Sequence, residues 1–235
     1  MTNGKPKPTG NPNSLQETSS AGEIAAFLKK ARKSDPTGNG RLIFALDATM
    51  SRQPTWDRAM QLQASMFDAV GKTGGLSVQL VYFRGFGECQ ASKWVVDAVA
   101  LCDLMIGIDC RGGQTQIGKV LSHAAKENVR QRVNAMVFIG DAMEENIDQL
   151  CAKAGELGIK GTRCFFFQEG GDPLTERAFR EMASLTSGAY FKLGPDSAHQ
   201  LSELLGAIAV YSKGGLKALE SSKAAGARKL LAQLK

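Results

Sequence analysis

From Arg41 to Val210 the chain alternates between two hydrophobic periods, and this limits its fold more than any other feature. Short apolar runs at Leu42–Leu46, Leu76–Phe83, Val133–Ile139, Arg163–Phe167 and Ala189–Leu193 have the length of buried strands. Between them lie segments with helical spacing: Thr55–Val70, Asp97–Ile106, Gln116–Arg130, Ile147–Leu157, Leu174–Leu185 and Ala198–Val210. Gly71 to Gly75, Gly158 and Gly188 read as helix stops. Ser92–Val96, after the Gly85–Gly87 turn, is one more candidate strand. Strands alternating with helices predict βαβ units, hence an α/β fold with a mainly parallel central sheet and helices on both faces. In such sheets ligand sites lie at the carboxyl ends of the strands, in the loops entering the next helix.

The 235 residues, 43% of them hydrophobic, suit one such domain with appended ends. Residues 1–40 read as a polar, disordered arm over 1–22 followed by a short basic helix at Glu23–Lys33. Residues 41–212 are the folded domain, and 213–235 form a basic amphipathic tail. The formal net charge of +6 belongs to those ends. Residues 1–40 hold six Lys and Arg against three Asp and Glu, and 213–235 hold six against one. The middle holds seventeen against nineteen. Basic residues are not interleaved with aromatics, so nucleic acid is not an expected partner. The tail has leucines at near-helical spacing (Leu216, Leu219, Leu230, Leu231, Leu234) and can dock on the domain, on a partner or on a membrane, the last being the least expected. Five cysteines without a Cys-x-x-Cys pair argue against a disulfide framework or zinc ribbon and for a reducing compartment. The polar start shows no apolar leader, and Trp94–Ile108 is cut by Asp97 and Asp103, so no membrane span is expected. A cytoplasmic, bacterial protein is the resulting expectation.

Three loops carry the chemistry. The first, Asp47-Ala48-Thr49-Met50-Ser51, comes after the first strand. A strand-end carboxylate with two hydroxyls at alternate positions is an oxygen set suited to a hard cation, although Ser, Thr and Asp are also helix-capping residues. The second, Cys110-Arg111-Gly112-Gly113-Gln114-Thr115-Gln116, puts Thr115 near a helix start, as cap or ligand. The third, Gly140-Asp141-Ala142-Met143-Glu144-Glu145, places an aspartate after a central strand, where an unpaired buried charge needs a partner.

Asp47-x-Thr49-x-Ser51, Thr115 and Asp141 together resemble the metal-ion-dependent adhesion site (MIDAS) of the von Willebrand factor A (vWA) family. The resemblance covers roughly residues 41–212. This chain departs from that pattern in having Thr at 49, Gln114 inserted in the Gly-Gly-Thr turn, and Ala142 after the aspartate. The resemblance implies a Rossmann-like vWA fold and a bound Mg²⁺ (or Mn²⁺ or Ca²⁺), ligated by Thr49 and Ser51, by Thr115 directly or through water, and by Asp47 and Asp141 partly through water. It further implies that the ion accepts an Asp or Glu carboxylate from a protein partner, with Arg111, Gln114 and Glu144 as the rim. The function implied is a scaffold or adaptor, not an enzyme, with no small-molecule substrate. The Gln114 insertion keeps open a metal-independent vWA scaffold.

Other readings compete. A haloacid-dehalogenase-like, Mg²⁺-dependent phosphatase would use Asp47 as nucleophile, Glu145 as the late acid and Lys119 or Lys126 as the phosphate-pairing lysine. Thr49, however, stands where its general acid belongs. Gly113-x-x-x-x-Gly118-Lys119 matches most of a phosphate-binding loop, but Val120 replaces the hydroxyl residue. Cys110, beside Arg111, is a candidate low-pKa thiol. Glu144-Glu145 reads either as a charged rim or as negative charge at the start of the helix from Ile147, the latter preferred.

Overall fold

The computed structural model describes Met1 and residues 40–53, 76–96, 98–194 and 198–234. The chain separates into a unit 1–38 and a unit 39–235, and the sheet with its helices belongs to the second. The arm and helix expected within 1–40, and the helix expected over Thr55–Val70, lie outside the described residues.

Six strands form one sheet in the order β3-β2-β1-β4-β5-β6. They are β1 (Gly40–Asp47), β2 (Leu76–Arg84), β3 (Glu88–Ala91), β4 (Ala135–Gly140), β5 (Arg163–Glu169) and β6 (Ala189–Leu193). All neighbours pair in parallel except β2 and β3. The helices are α1 (Ala98–Ile106), α2 (Ile117–Arg130), α3 (Ile147–Ile159), α4 (Pro173–Leu185), α5 (Ala198–Glu220) and α6 (Ala225–Gln233). A 3₁₀ turn covers Met50–Arg52. Among the described residues no helix is long and apolar enough to cross a membrane.

The core splits by strand alternation. On β1, Leu42, Phe44 and Leu46 face α1, α5 and α6, whereas Ile43 and Ala45 face α2, α3 and α4. On the second face, the Phe138 ring meets Phe179 edge-on at 5.5 Å and Phe166 at 5.9 Å. With both faces covered, the central strands are buried end to end: every residue of β1 and β4 is buried, including Arg41 and Asp47 near the ends of β1.

Three expectations change in detail. The strand expected at Ser92–Val96 instead occupies Glu88–Ala91. Ser92 ends it, because the Ser92 hydroxyl accepts the Leu80 N–H at 3.0 Å, and only Val95 returns to the sheet, as a bridge to Val78. α3 runs through Gly158 to Ile159, and the left-handed Gly161 (φ 80°) comes after it. The basic tail is resolved in favour of docking on the domain. α5 continues to Glu220 across a break at Gly215 (φ 67°, ψ −163°), and α6 buries Ala227 and Leu230 against the same core as β1.

Candidate functional site

The sheet order places β1 beside β4, and successive connections leave these two strands toward opposite edges. This is the switch point of a doubly wound sheet, where the crevice beyond the strand ends is open to a ligand. Asp47 closes β1 and Asp141 comes directly after Gly140, the last residue of β4. The fully buried Asp47 directs Oδ1 to the Thr49 N–H at 2.8 Å, while its Oδ2 has no hydrogen-bond partner among the described residues. Asp141 likewise has a buried Oδ1 without a partner. Burial, the largest influence, pushes the Asp47 carboxyl up to about 6; Thr49 and Arg52 pull it down, and the Asp141 charge pushes it further up. The structure thus brings together a fully buried carboxylate, Asp47, and a half-buried one, Asp141, each with a buried oxygen that lacks a donor among the described residues. That arrangement fits a cation.

The hydroxyls approach from two loops. Thr49 has extended backbone (φ −76°, ψ 162°) ahead of the 3₁₀ turn, and its Oγ1 lies 3.1 Å from Ser51 Oγ. The alternate positions therefore do turn their side chains together. The Gly-rich loop is tied to this one where the Arg111 N–H donates to the Ala48 carbonyl at 3.0 Å. It also presses on the β2–β3 turn: a Cβ at Gly113 would lie 2.1 Å from the Gly85 carbonyl oxygen, so no other residue fits. Thr115 is buried and reciprocally bonded to the third loop. Its N–H donates to Glu144 Oε2 at 3.1 Å, and its Oγ1 accepts the Glu144 N–H at 3.0 Å. A hydroxyl has two lone pairs, so one remains after this bond. Arg111, Gln114 and Glu144 are all exposed, and Arg111 pairs with Asp109 at 3.0 Å. Among the described residues no three His, Cys, Asp or Glu side chains converge to hold a metal; the set at these loops is two carboxylates with hydroxyls.

Two residues that the sequence reading gave no such role shape the site. Arg52 has a fully buried side chain and pairs with Glu169 at the end of β5, Nη2 to Oε1 at 3.0 Å and Nε to Oε2 at 3.2 Å. Its Nη1 donates to the carbonyls of Asp47 (2.8 Å) and Ile139 (3.5 Å), joining the ends of β1, β4 and β5. The other is Glu145. It accepts the N–H groups of Ile117 and Gly118, capping α2 from the third loop, while Gln116 at the N-cap position makes no side-chain cap bond. The helix from Ile147 is capped by Asn146, whose Oδ1 accepts the Gln149 N–H at 3.0 Å. The acidic pair thus serves the second loop and α2 rather than the next helix in sequence. Glu145 also fills the helix N-terminus that a phosphate-binding loop would offer to its anion. Cys110 departs from expectation as well. Burial pushes its thiol up to about 11, the opposite of an activated cysteine.

No protein-family model matches the sequence, and no curated protein matches it. Solved structures do. A von Willebrand factor type A protein from Catenulispora acidiphila superposes with a TM-score of 0.62 at 14% identity, covering 75% of this chain and 43% of that one. The chain therefore spans less than half of that protein's length. The SpRpn10 VWA domain matches with a TM-score of 0.57 at 12% identity, over 70% of this chain and 94% of that one. Proximal thread matrix protein 1 from the mussel byssus, with a zinc-occupied MIDAS motif, gives 0.55 at 18% identity, over 80% and 52%. The fold is vWA-like.

Proposed function

We propose that this chain is a protein-interaction module, a scaffold or adaptor, whose site takes a divalent cation and through it an Asp or Glu carboxylate of a protein partner. The observation that carries this reading is the pair of donor-less buried oxygens, Asp47 Oδ2 and Asp141 Oδ1, at the adjacent ends of β1 and β4. Asp47, Thr49, Ser51, Thr115 and Asp141 would hold the ion. When bound, Mg²⁺ or Mn²⁺ supplies an electron-poor contact for an external carboxylate. The zinc-occupied site of the mussel protein supports a divalent ion in this class of fold. The residues of the chain do the rest. Thr49 N–H fixes the Asp47 rotamer, the Thr115–Glu144 pair sets the second loop against the third, and Arg52 aligns the strand ends beneath. Arg111, Gln114 and Glu144 would select the partner.

Calorimetric titration of Mg²⁺ and Mn²⁺ into the full chain tests this. Saturable binding that Asp47→Ala and Asp141→Ala each abolish is the expected result. Binding that survives both substitutions would overturn the assignment. Mg²⁺-dependent hydrolysis of p-nitrophenyl phosphate, lost in Asp47→Asn, would install the phosphatase reading instead. A metal-independent scaffold is the second reading. Arg52 favours it, because a buried guanidinium already bonds the Asp47 carbonyl and its charge favours the Asp47 carboxylate. Absence of ion binding by the unaltered chain would select it.

A further inference from the structure

A groove of about 480 Å³ runs between α2, α3 and the edge strand β3. Lys119 and Lys126 of α2 and Lys153 of α3 line it, with Ser122 and His123 between them and the partly exposed Cys89 and Ala91 at the sheet side. Among the described residues none of the three lysines forms an ion pair. Lys119 Nζ donates to the Gly87 carbonyl at 3.0 Å and to Gln116 Oε1 at 2.8 Å, and Lys153 Nζ donates to Ser122 Oγ at 2.7 Å. All these acceptors are neutral. One carboxylate lines the groove, Glu145, and its oxygens cap α2 at Ile117 and Gly118. Three ammonium groups against one carboxylate leave an excess of two positive charges. That excess stands out in residues 41–212, which as a whole hold more acidic than basic side chains.

We propose that this groove binds the phosphate of an organic phosphate monoester, with the dianion between Lys119, Lys126 and Lys153 and the organic part against Cys89 and Ala91. Separate ammonium groups suit a phosphate bound as a point charge, whereas a planar carboxylate is better matched by an arginine fork. The volume falls within the range of small-molecule pockets, about 300–1,000 Å³. Gly118 and Lys119 come from the sequence run that resembles a phosphate-binding loop, but the anion cannot sit where such loops hold it, since Glu145 takes those N–H groups. It lies along the flank of α2 instead. The site takes none of the proposed ion ligands Asp47, Thr49, Ser51, Thr115 and Asp141; Glu145, which caps α2, borders both.

The test is calorimetric titration of phenyl phosphate into the full chain, in EDTA and at low salt, with inorganic phosphate as a second probe. Expected are saturable binding of phenyl phosphate, weaker binding of inorganic phosphate, and a roughly tenfold loss in each of Lys126→Gln and Lys153→Gln, as for one charge-assisted hydrogen bond. Lys126 is exposed and makes no hydrogen bond or ion pair among the described residues, so its variant should fold normally. Asp47→Ala should bind phenyl phosphate unchanged, which separates this site from the metal reading. Absence of saturation, or full affinity in both lysine variants, would overturn the proposal. Equal affinity for the two probes would overturn the role given to Cys89 and Ala91.

Discussion

Asp47→Asn should stabilise the metal-free protein at neutral pH while abolishing ion binding. Asp47 has no exposed surface, and burial raises its carboxyl from 3.8 to about 6. Because the folded-state value is the higher one, the folded protein holds a proton that the unfolded chain releases between about pH 4 and 6. The favourable contribution is complete below the unfolded value and is lost as pH rises through 6. A rise of that size corresponds to about 3 kcal/mol at pH 7.5. Asparagine keeps an oxygen for the Thr49 N–H and carries no charge to bury. Its gain should approach that figure, or roughly 6–12 °C in Tm for a domain of this size. The assay is calorimetric melting in EDTA at pH 5 and pH 7.5. Relative to Asp47→Asn the unaltered chain should lose about 1.4 kcal/mol between the two pH values, with roughly half of the difference still present at pH 5 and convergence only below about pH 4. Mg²⁺ at a hundred times its Kd should then return about 2.7 kcal/mol to the unaltered chain alone. Equal or lower stability of Asp47→Asn at pH 7.5 in EDTA would refute the reasoning, because burial would then not be what holds the carboxyl up.

Arg52→Met removes a buried guanidinium and leaves Glu169 and two strand-end carbonyls without it. A loss of about 3–5 kcal/mol is expected in urea denaturation, as for other broken buried ion pairs. Leu230→Ala, at a position with no exposed surface, should lower stability by about 2–5 kcal/mol by the same measurement, because α6 belongs to the core. A neutral result would mean that the tail only rests on the domain. Gly226→Ala should act in the same direction, since its Cβ would lie 2.1 Å from the Glu203 carbonyl oxygen of α5.

The layered fold was legible because both of its periods are written in apolar residues. Leu42–Leu46 and Val133–Ile139 are too apolar to be anything but buried strands between covered faces, and α2 shows one clean stripe at Ile117, Val120, Leu121 and Ala124. The site loops were legible because strand-end aspartates interrupt those runs. Legibility failed wherever a polar side chain replaced a backbone partner. The hydroxyl of Ser92 ends β3 and displaces the strand boundary, and nothing in the local composition announces that it will reach Leu80. Arg52 was invisible for the same reason. A charged residue after a hydroxyl-rich turn reads as solvated, and its buried position depends on Glu169, which is 117 residues away. The tail remained ambiguous because its leucine spacing is equally suited to any apolar surface, and only the packing of Ala227 and Leu230 on the β1 core decides among them.

Four acids surround the crevice, and their partners divide them into two kinds. Glu144 and Glu145 are satisfied by backbone: the first by the Thr115 N–H, the second by the N–H groups of Ile117 and Gly118. These bonds span the second and third loops and hold Thr115 in place. Asp47 and Asp141 sit at the ends of β1 and β4, and each keeps a buried oxygen that no donor among the described residues meets. Burial does not separate the pairs, since it also raises the Glu145 carboxyl. What separates them is whether the chain itself supplies the donor. A fold under selection for stability alone would replace Asp47 by an uncharged residue, because the ionised carboxylate opposes folding above pH 6. Retaining Asp47 beside Asp141 at a switch point makes sense when something outside the chain completes the pair. The same reasoning assigns Glu144 and Glu145 to building the crevice, with the exposed face of Glu144 left to meet whatever enters it.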